Sequence, residues 1–344
     1  MWKTRFAPSP TGALHLGHAW SALQAHDAAR ANQGAFLLRI EDIDGTRSRP
    51  EHVAGILSDL EWLGIGWDEP VVYQSQRLAL YDAALARLRA DGLVYPCFCT
   101  RAEIAREVAA SLSAPHGPDG VLYPGTCRGL SAAERARRVA EEPHCWRLDV
   151  GAALQILAGA QRPIASDLPS PSQSSPARGR CRASPSGGGG SRPISDGIPP
   201  PPSAFGRHLP LAREDLGWHD CHAGWVYADP ASHGDVVLAR KDAPASYHLA
   251  VTVDDAAQGI TNLIRGRDLF AATHVHRLLQ ALLGLPTPNY CHHALLTDAE
   301  GNRLAKRHNA PTLAALRASG MSGLELAQML REQRLPVGFA VTKD

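Results

Sequence analysis

The sequence lacks a charge of one sign: 35 Lys and Arg stand against 34 Asp and Glu, for a formal net charge of +1. No bulk electrostatic signal for a nucleic acid follows, although a local basic face is enough to hold one. Long apolar runs are missing as well. No stretch reaches ~18 uninterrupted apolar residues, and Met1 to Gly12 lacks the apolar core of a signal peptide, so the reading is a cytoplasmic protein with no membrane partner. Cysteines number seven, an odd count without a secretory signal. That argues against a disulfide framework and for thiols or a metal. What remains is a 344-residue chain, 44% hydrophobic, with room for two domains and a substantial core.

The chain is organised around its first eighteen residues. Trp2 to Phe6 reads as a β-strand, and Pro8, Pro10 and Gly12 force a turn after it. From about His15, apolar residues at Leu16, Ala19, Trp20 and Leu23 fall at helical spacing, which predicts a helix to about Asn32. Strand, turn and helix N-terminus make an anion site, because unpaired backbone N–H groups and the positive dipole end face the same point. His15 and His18, three apart, stand at that terminus, where imidazoles can donate to phosphate oxygens. Ala35 to Ile40 reads as a buried parallel strand ending in Glu41-Asp42-Ile43-Asp44. Carboxylates beyond the carboxyl end of a strand lie where open α/β sheets bind ligands. By themselves, two surface histidines and a charged loop account for these features equally well.

Pro50 to Leu63 and Ser75 to Asp91 read as amphipathic packing helices, and Leu93 to Tyr95 starts a strand leading into Cys97-Phe98-Cys99. Cys97, Cys99, Tyr123 and Cys127 form the second constellation. Three cysteines make an incomplete tetrahedron at no standard zinc spacing, so buried thiols and a metal both stay open. The composition collapses from about Ala160 to His208 into Pro, Ser and Gly, which predicts a disordered insertion with Cys181 exposed inside it. Order is expected again by about Glu214. Trp218 to Asp220, Trp225 to Tyr227 and Asp235 to Arg240 read as short strands returning to the nucleotide fold. Ala271 to Leu283 reads as a helix, Leu295 to Asp298 with Gly301-Asn302 as a turn, and Pro311 to Leu335 as one or two helices.

Arg5-Phe6-Ala7-Pro8-Ser9-Pro10-Thr11-Gly12 followed by His15-Leu16-Gly17-His18 resembles the opening of class I glutamyl-tRNA synthetases. Their HIGH signature corresponds to His15-Leu16-Gly17-His18 and their KMSKS loop to Arg303-Leu304-Ala305-Lys306-Arg307, at opposite ends of the chain. The resemblance implies a doubly wound parallel α/β sheet (Rossmann-like) carrying an inserted subdomain. The expected division is 1–92 and 211–310 for the two catalytic halves, 93–159 for the zinc-containing insert, 160–210 for the disordered insertion and 311–344 for a short helical end. It implies His15, His18 and Lys306 as catalytic groups, with Pro8, Thr11, Gly12 and Gly17 beside them around ATP. L-glutamate would meet Arg5, Ala7, Ser9, Glu41, Tyr247 and Arg265: the carboxylate of Glu41 for its α-ammonium, and two guanidinium groups and a phenol for its two carboxylates. Ala305 stands where the family has serine, so one hydroxyl contact is lost while Lys306 is kept.

The cysteine region is similar to that of the short relatives of these enzymes, the glutamyl-Q tRNA(Asp) synthetases, whose zinc is held by three cysteines and a tyrosine. This implies one structural zinc on Cys97, Cys99, Tyr123 and Cys127. Arg128, Arg135, Arg137 and Arg138 near it are candidate RNA phosphate contacts, or a solvated helix face salted with glutamates. The resemblance covers the catalytic core without an anticodon-reading region. It therefore implies ATP-dependent activation of glutamate, with magnesium accompanying ATP, and transfer to the queuosine base of tRNA(Asp) by a monomer. A minimal enzyme charging a tRNA 3′ end and a non-catalytic glutamate- or adenylate-binding paralogue are the alternatives.

Overall fold

A strand at Lys3–Phe6 is the first element, and it pairs in parallel with Ala35–Ile40, Lys3 opposite Ala35 and Phe6 opposite Leu38. The computed structural model describes residues 1–110, 116–118, 120–159, 216–298, 311–335 and 339–342. Between the two strands runs the helix Leu16–Ala31, the crossover connection that parallel pairing demands. Ala35–Ile40 is apolar except at Arg39 and buried from Phe36 on, as a strand covered on both faces is. Val72–Tyr73 extends this ladder on its far side.

A second ladder holds Asn262–Gly266, Asn289–His293 and Gly217–Asp220 in parallel, closed by the antiparallel Gly224–Tyr227. The two ladders meet where Lys3–Phe6 lies beside Asn262–Gly266, joined by Thr261 N–H donating to Lys3 O at 3.0 Å. Laid side by side they form a doubly wound sheet. The chain crosses from one half to the other between Lys3–Phe6 and Asn262–Gly266, and this reversal opens a crevice at the strands' carboxyl ends.

Leu16, Ala19 and Leu23 bury one face of the first helix against Phe36, Leu38 and Ile40. Removing each such leucine from water stabilises the fold by about 1.5–3 kcal/mol. The second half is packed by helices Leu78–Ala90, Tyr247–Ala257 and Ala272–Leu283. Near the end of the chain Leu313–Ala318 and Gly323–Arg331 are helical and place Leu313, Leu326 and Leu330 in the first core.

Three readings are corrected. Leu296–Asp298 is a strand, paired antiparallel with Phe339–Val341, rather than part of a turn. Val237–Ala239 pairs antiparallel with Cys145–Leu148, which in turn pairs with Val94–Cys97, so it belongs to their three-stranded sheet rather than to the nucleotide fold. The helix after Ser75 begins only at Leu78, behind a 3-10 turn at Gln74–Gln76. The expected disordered insertion, with Cys181, lies outside the described residues. Among the described residues no helix is long and apolar enough to cross a membrane.

Candidate active site

The crevice holds a cavity of about 570 Å³, and most residues expected around glutamate and ATP line it. Arg5, Ala7, Pro8, Ser9 and Thr11 come from the first strand and its turn, His15, Gly17 and His18 from the helix start, Glu41 from the second strand's end, and Tyr247 and Arg265 from the other half. Gly12 lies in the same turn but is not part of the lining. The segment Arg303 to Arg307, Lys306 included, lies outside the described residues. Its flanks reach the site: Leu295 and Leu296 line the cavity, and Thr312 bridges to His15.

The turn is strapped to the sheet by Glu41 N–H donating to Pro8 O and Arg49 N–H donating to Pro10 O, at 3.0 and 3.2 Å. His15 is the N-cap residue. Its Nδ1 accepts from Gly17 N–H at 3.1 Å, while His18 Nδ1 accepts from His15 N–H at 3.2 Å. The two rings lie 3.9 Å apart. An Nδ1 that accepts leaves the proton of a neutral imidazole on Nε2, so the cap itself fixes both rings as Nε2–H donors. A side chain at position 17 would place Cβ only 3.0 Å from His15 Cε1; Gly17 is there to seat that ring.

Arg5 does not stand ready for substrate as a lone cation. Its Nε and Nη2 donate to the two oxygens of Asp255, at 3.1 and 3.3 Å. Arg39, fully buried, reaches the same carboxylate at 2.9 Å and stands 3.7 Å from both Glu41 and Asp254. Asp254 also receives Arg77 Nε at 2.6 Å and the Tyr81 hydroxyl at 2.8 Å. Three guanidinium groups and three carboxylates thus share one floor beneath the cavity. Burial pushes the Glu41 carboxyl up against the pull of Arg39 and Arg5. Burial raises Asp255 too, but Arg5 and Arg39 together hold it below its ordinary value.

Arg265 is treated differently. Its Nε donates to His292 Nε2 at 3.1 Å, its Nη2 to Thr273 Oγ1 at 2.6 Å and Leu269 O at 3.2 Å, and its Nη1 to the Tyr247 hydroxyl at 3.2 Å. Among the described residues it has no carboxylate partner. His292 Nδ1 lies 2.6 Å from Asp220 Oδ2. Burial, with Arg265 beside the ring, lowers the His292 pKa to about 4, and burial holds His276 well below its ordinary value. Gly266 follows Arg265 because a Cβ there would run into Asp268 Oδ1 and the Leu295 side chain.

The second constellation also assembles. The sulfurs of Cys97, Cys99 and Cys127 lie within 4.8 Å of one another. The Tyr123 hydroxyl lies 3.6 Å from Cys99 Sγ and accepts from Cys127 N–H at 2.9 Å. Three thiols and a phenol converging from two loops suit a tetrahedral, thiophilic ion. Cys145, which drew no attention in the sequence, is paired in register with Cys97 across the strands. Its hydrogen bond, with those of Tyr123 and Arg147, holds the Cys97 thiol well below its ordinary range.

No disulfide framework is expected from the sequence; one bond is present among the described residues, between Cys221 and Cys291, with Cα atoms 4.9 Å apart. Of the candidate RNA contacts, Arg137 is taken by Glu134 and Glu141, Arg138 by Glu142, and Arg128 by Asp235. Arg135 donates to Arg128 O. Arg137 and Arg138 thus lie on the glutamate-salted helix face, while Arg128 and Arg135 are held by Asp235 and by a backbone carbonyl.

The profile of tRNA synthetases class I (E and Q), catalytic domain, matches residues 1–157 and 208–336. The chain is similar to the glutamyl-Q tRNA(Asp) synthetase of Rhodobacter capsulatus, 43% identical over 328 residues that cover 95% of this chain and 99% of that one. The protein of the same description from Symbiobacterium thermophilum is 39% identical over 328 residues, covering 92% and 82%. Among solved structures, the glutamate-tRNA synthetase of Elizabethkingia anophelis superposes with a TM-score of 0.66 at 24% identity. That match takes in 96% of this chain but spans 61% of the larger protein, and it bears on the fold alone.

Proposed function

Because the chain belongs to the class I glutamate and glutamine tRNA synthetases, in their glutamyl-Q tRNA(Asp) branch, we propose that it is a ligase that joins L-glutamate to AMP and passes the glutamyl group to the queuosine base of tRNA(Asp). The observation that carries this reading is Arg265. A buried guanidinium held, among the described residues, by neutral acceptors alone faces the same cavity as the His15–His18 donor pair.

In the first step a carboxylate oxygen of glutamate attacks the α-phosphorus of ATP, the bond to the β-phosphate oxygen breaks, and pyrophosphate leaves. Glu41 receives the α-ammonium, Arg265 and Tyr247 the side-chain carboxylate, and Arg5, with Ala7 and Ser9 beside it, closes the pocket. The Nε2–H groups of His15 and His18, set at the positive end of the helix, donate to the phosphates as charge develops. Pro8, Thr11 and Gly17 give ATP a close-fitting backbone wall, with Gly12 behind them in the turn. Lys306, in the basic Arg303-Leu304-Ala305-Lys306-Arg307 run, neutralises the departing pyrophosphate; the position of its flanks at Leu296 and Thr312 supports this role. Magnesium enters with ATP. Positioning and electrostatics supply most of the acceleration. In the second step a hydroxyl of the modified base attacks the adenylate carbonyl and AMP leaves.

Cys97, Cys99, Tyr123 and Cys127 would hold one zinc in a closed site, where the ion supplies folding energy to the 93–159 insert rather than chemistry. The working form is a monomer in the cytoplasm, with 1–92 and 211–310 as the catalytic halves apart from the strand Val237–Ala239, which joins the 93–159 sheet.

The test is glutamate-dependent ATP–pyrophosphate exchange without RNA. Exchange is expected, and Lys306→Ala is expected to lower it by about 10²-fold or more. Wild-type exchange in that variant would remove Lys306 from the reaction, and no exchange in the wild type would leave a binding protein.

A further inference from the structure

Among the described residues two guanidinium groups, those of Arg5 and Arg265, face the cavity, and the fold handles their charge in opposite ways. Arg5 is answered directly by the Asp255 carboxylate. Arg265 also has a buried carboxylate in its surroundings, Asp220, but an imidazole stands between them. The arrangement runs across three adjacent parallel strands: Arg265 is paired in register with His292, and Asp220 with Tyr290, the residue two before it.

Hydrogen-bond directions settle the state of this imidazole. Arg265 Nε–H can only donate, so His292 Nε2 must accept and the ring proton lies on Nδ1. Nδ1–H then donates to Asp220 Oδ2 at 2.6 Å. The other oxygen of Asp220 accepts from His222 N–H and Ala223 N–H, at 3.0 and 3.1 Å, so the carboxylate cannot turn away. Tyr290 stacks on the His292 ring at 5.7 Å with 4° between planes, and Phe270 meets it edge-on at 5.0 Å. His292 is 4% exposed and Asp220 1%. Such an array passes on orientation without passing on negative charge. A carboxylate placed directly on Arg265 would cancel the attraction that a substrate carboxylate must feel.

We propose that Asp220 and His292 are positioning residues that turn Arg265 toward the substrate while leaving its charge uncompensated, and that they thereby set the preference for glutamate over glutamine. The inference rests on the reading of Arg265 as the ligand of the side-chain carboxylate. Neither residue touches substrate; both act through the guanidinium.

The experiment measures kcat and KM for glutamate, and kcat/KM for glutamine, by pyrophosphate exchange in the full chain. The variants are His292→Leu, His292→Gln, Asp220→Asn and Arg265→Ala, each checked by circular dichroism and thermal melting. His292→Leu removes the acceptor and is expected to raise the glutamate KM about 10- to 100-fold, the worth of one hydrogen bond to a charged group. Its kcat is expected to change less than about threefold and its glutamine kcat/KM to stay put, so that selectivity falls with the KM. Asp220→Asn can donate to Nδ1 and move the ring proton to Nε2, against Arg265 Nε–H, and is expected to behave alike. His292→Gln offers an amide oxygen in the same place and is expected to return KM to within about fivefold of wild type.

A glutamate KM unchanged in His292→Leu and Asp220→Asn while Arg265→Ala raises it would overturn the positioning role and leave Arg265 in place. Equal losses in kcat for both amino acids, with no rescue by glutamine, would show a merely structural pair and overturn it too. An unchanged KM in Arg265→Ala would instead sink the underlying reading. If His292→Leu does not fold, Asp220→Asn and His292→Gln decide the matter.

Discussion

Asp255 receives the Arg5 guanidinium in two hydrogen bonds, 3.1 and 3.3 Å long, with each side chain only 6% exposed. Because Arg39 shares that carboxylate at 2.9 Å, Asp255→Ala would leave two buried cations short of their partner. The expected cost is about 3–5 kcal/mol of folding stability, measured by urea denaturation. Asp255 titrates below its ordinary value in the folded state. Its contribution is therefore full above the unfolded carboxylate range, about pH 4, and is lost as pH falls through the lower folded value. The variant should lack that part of the acid sensitivity. Equal stability of variant and wild type at neutral pH would contradict the network.

His15→Ala and His18→Ala each remove a ring that both caps the helix and faces the cavity. The capping loss is worth about 1 kcal/mol and appears as a lower melting temperature. The loss in pyrophosphate exchange should be larger, about 10²- to 10³-fold in kcat. A kinetic loss no greater than the stability loss implies would reduce the pair to a helix cap.

The cluster of Cys97, Cys99, Tyr123 and Cys127 is expected to yield about one zinc per chain by elemental analysis of purified protein. Cys99→Ser should lower metal content and melting temperature together, while leaving the glutamate KM of the remaining folded protein near wild type. Full melting temperature in a metal-free preparation would contradict a structural ion.

Non-reducing peptide mapping of air-handled protein should find the Cys221 and Cys291 peptides joined, and separate after reduction. Recovery of both as free thiols without reductant would remove the bridge.

Much of the site was legible because its signals are local. Two prolines and a glycine before a helical repeat place His15 and His18 at a helix start, and Glu41 follows an apolar run short enough to be only a strand. The floor of the site was not legible, since Asp255 lies 250 residues from Arg5 and no periodicity links them. A trace existed in hindsight: Asp254 and Asp255 interrupt an otherwise apolar helix face, which buried carboxylates do only when cations meet them. Cys221 and Cys291 are 70 residues apart and become neighbours only through parallel strand pairing. An odd cysteine count could not reveal them. Ser75 was misread as a helix start because its N–H and hydroxyl are both drawn to Asp42, at 2.8 and 2.7 Å, leaving no capping group for the helix. Tertiary partners overrode a sound local preference there.

The most direct measurement supplies radiolabelled glutamate and ATP with two preparations of tRNA(Asp), one containing queuosine and one without it. The account predicts label only on the queuosine-containing RNA, and label that survives periodate treatment of the 3′ end. Label on both preparations, seated at the 3′-terminal ribose, would contradict it and make this chain a minimal charging enzyme.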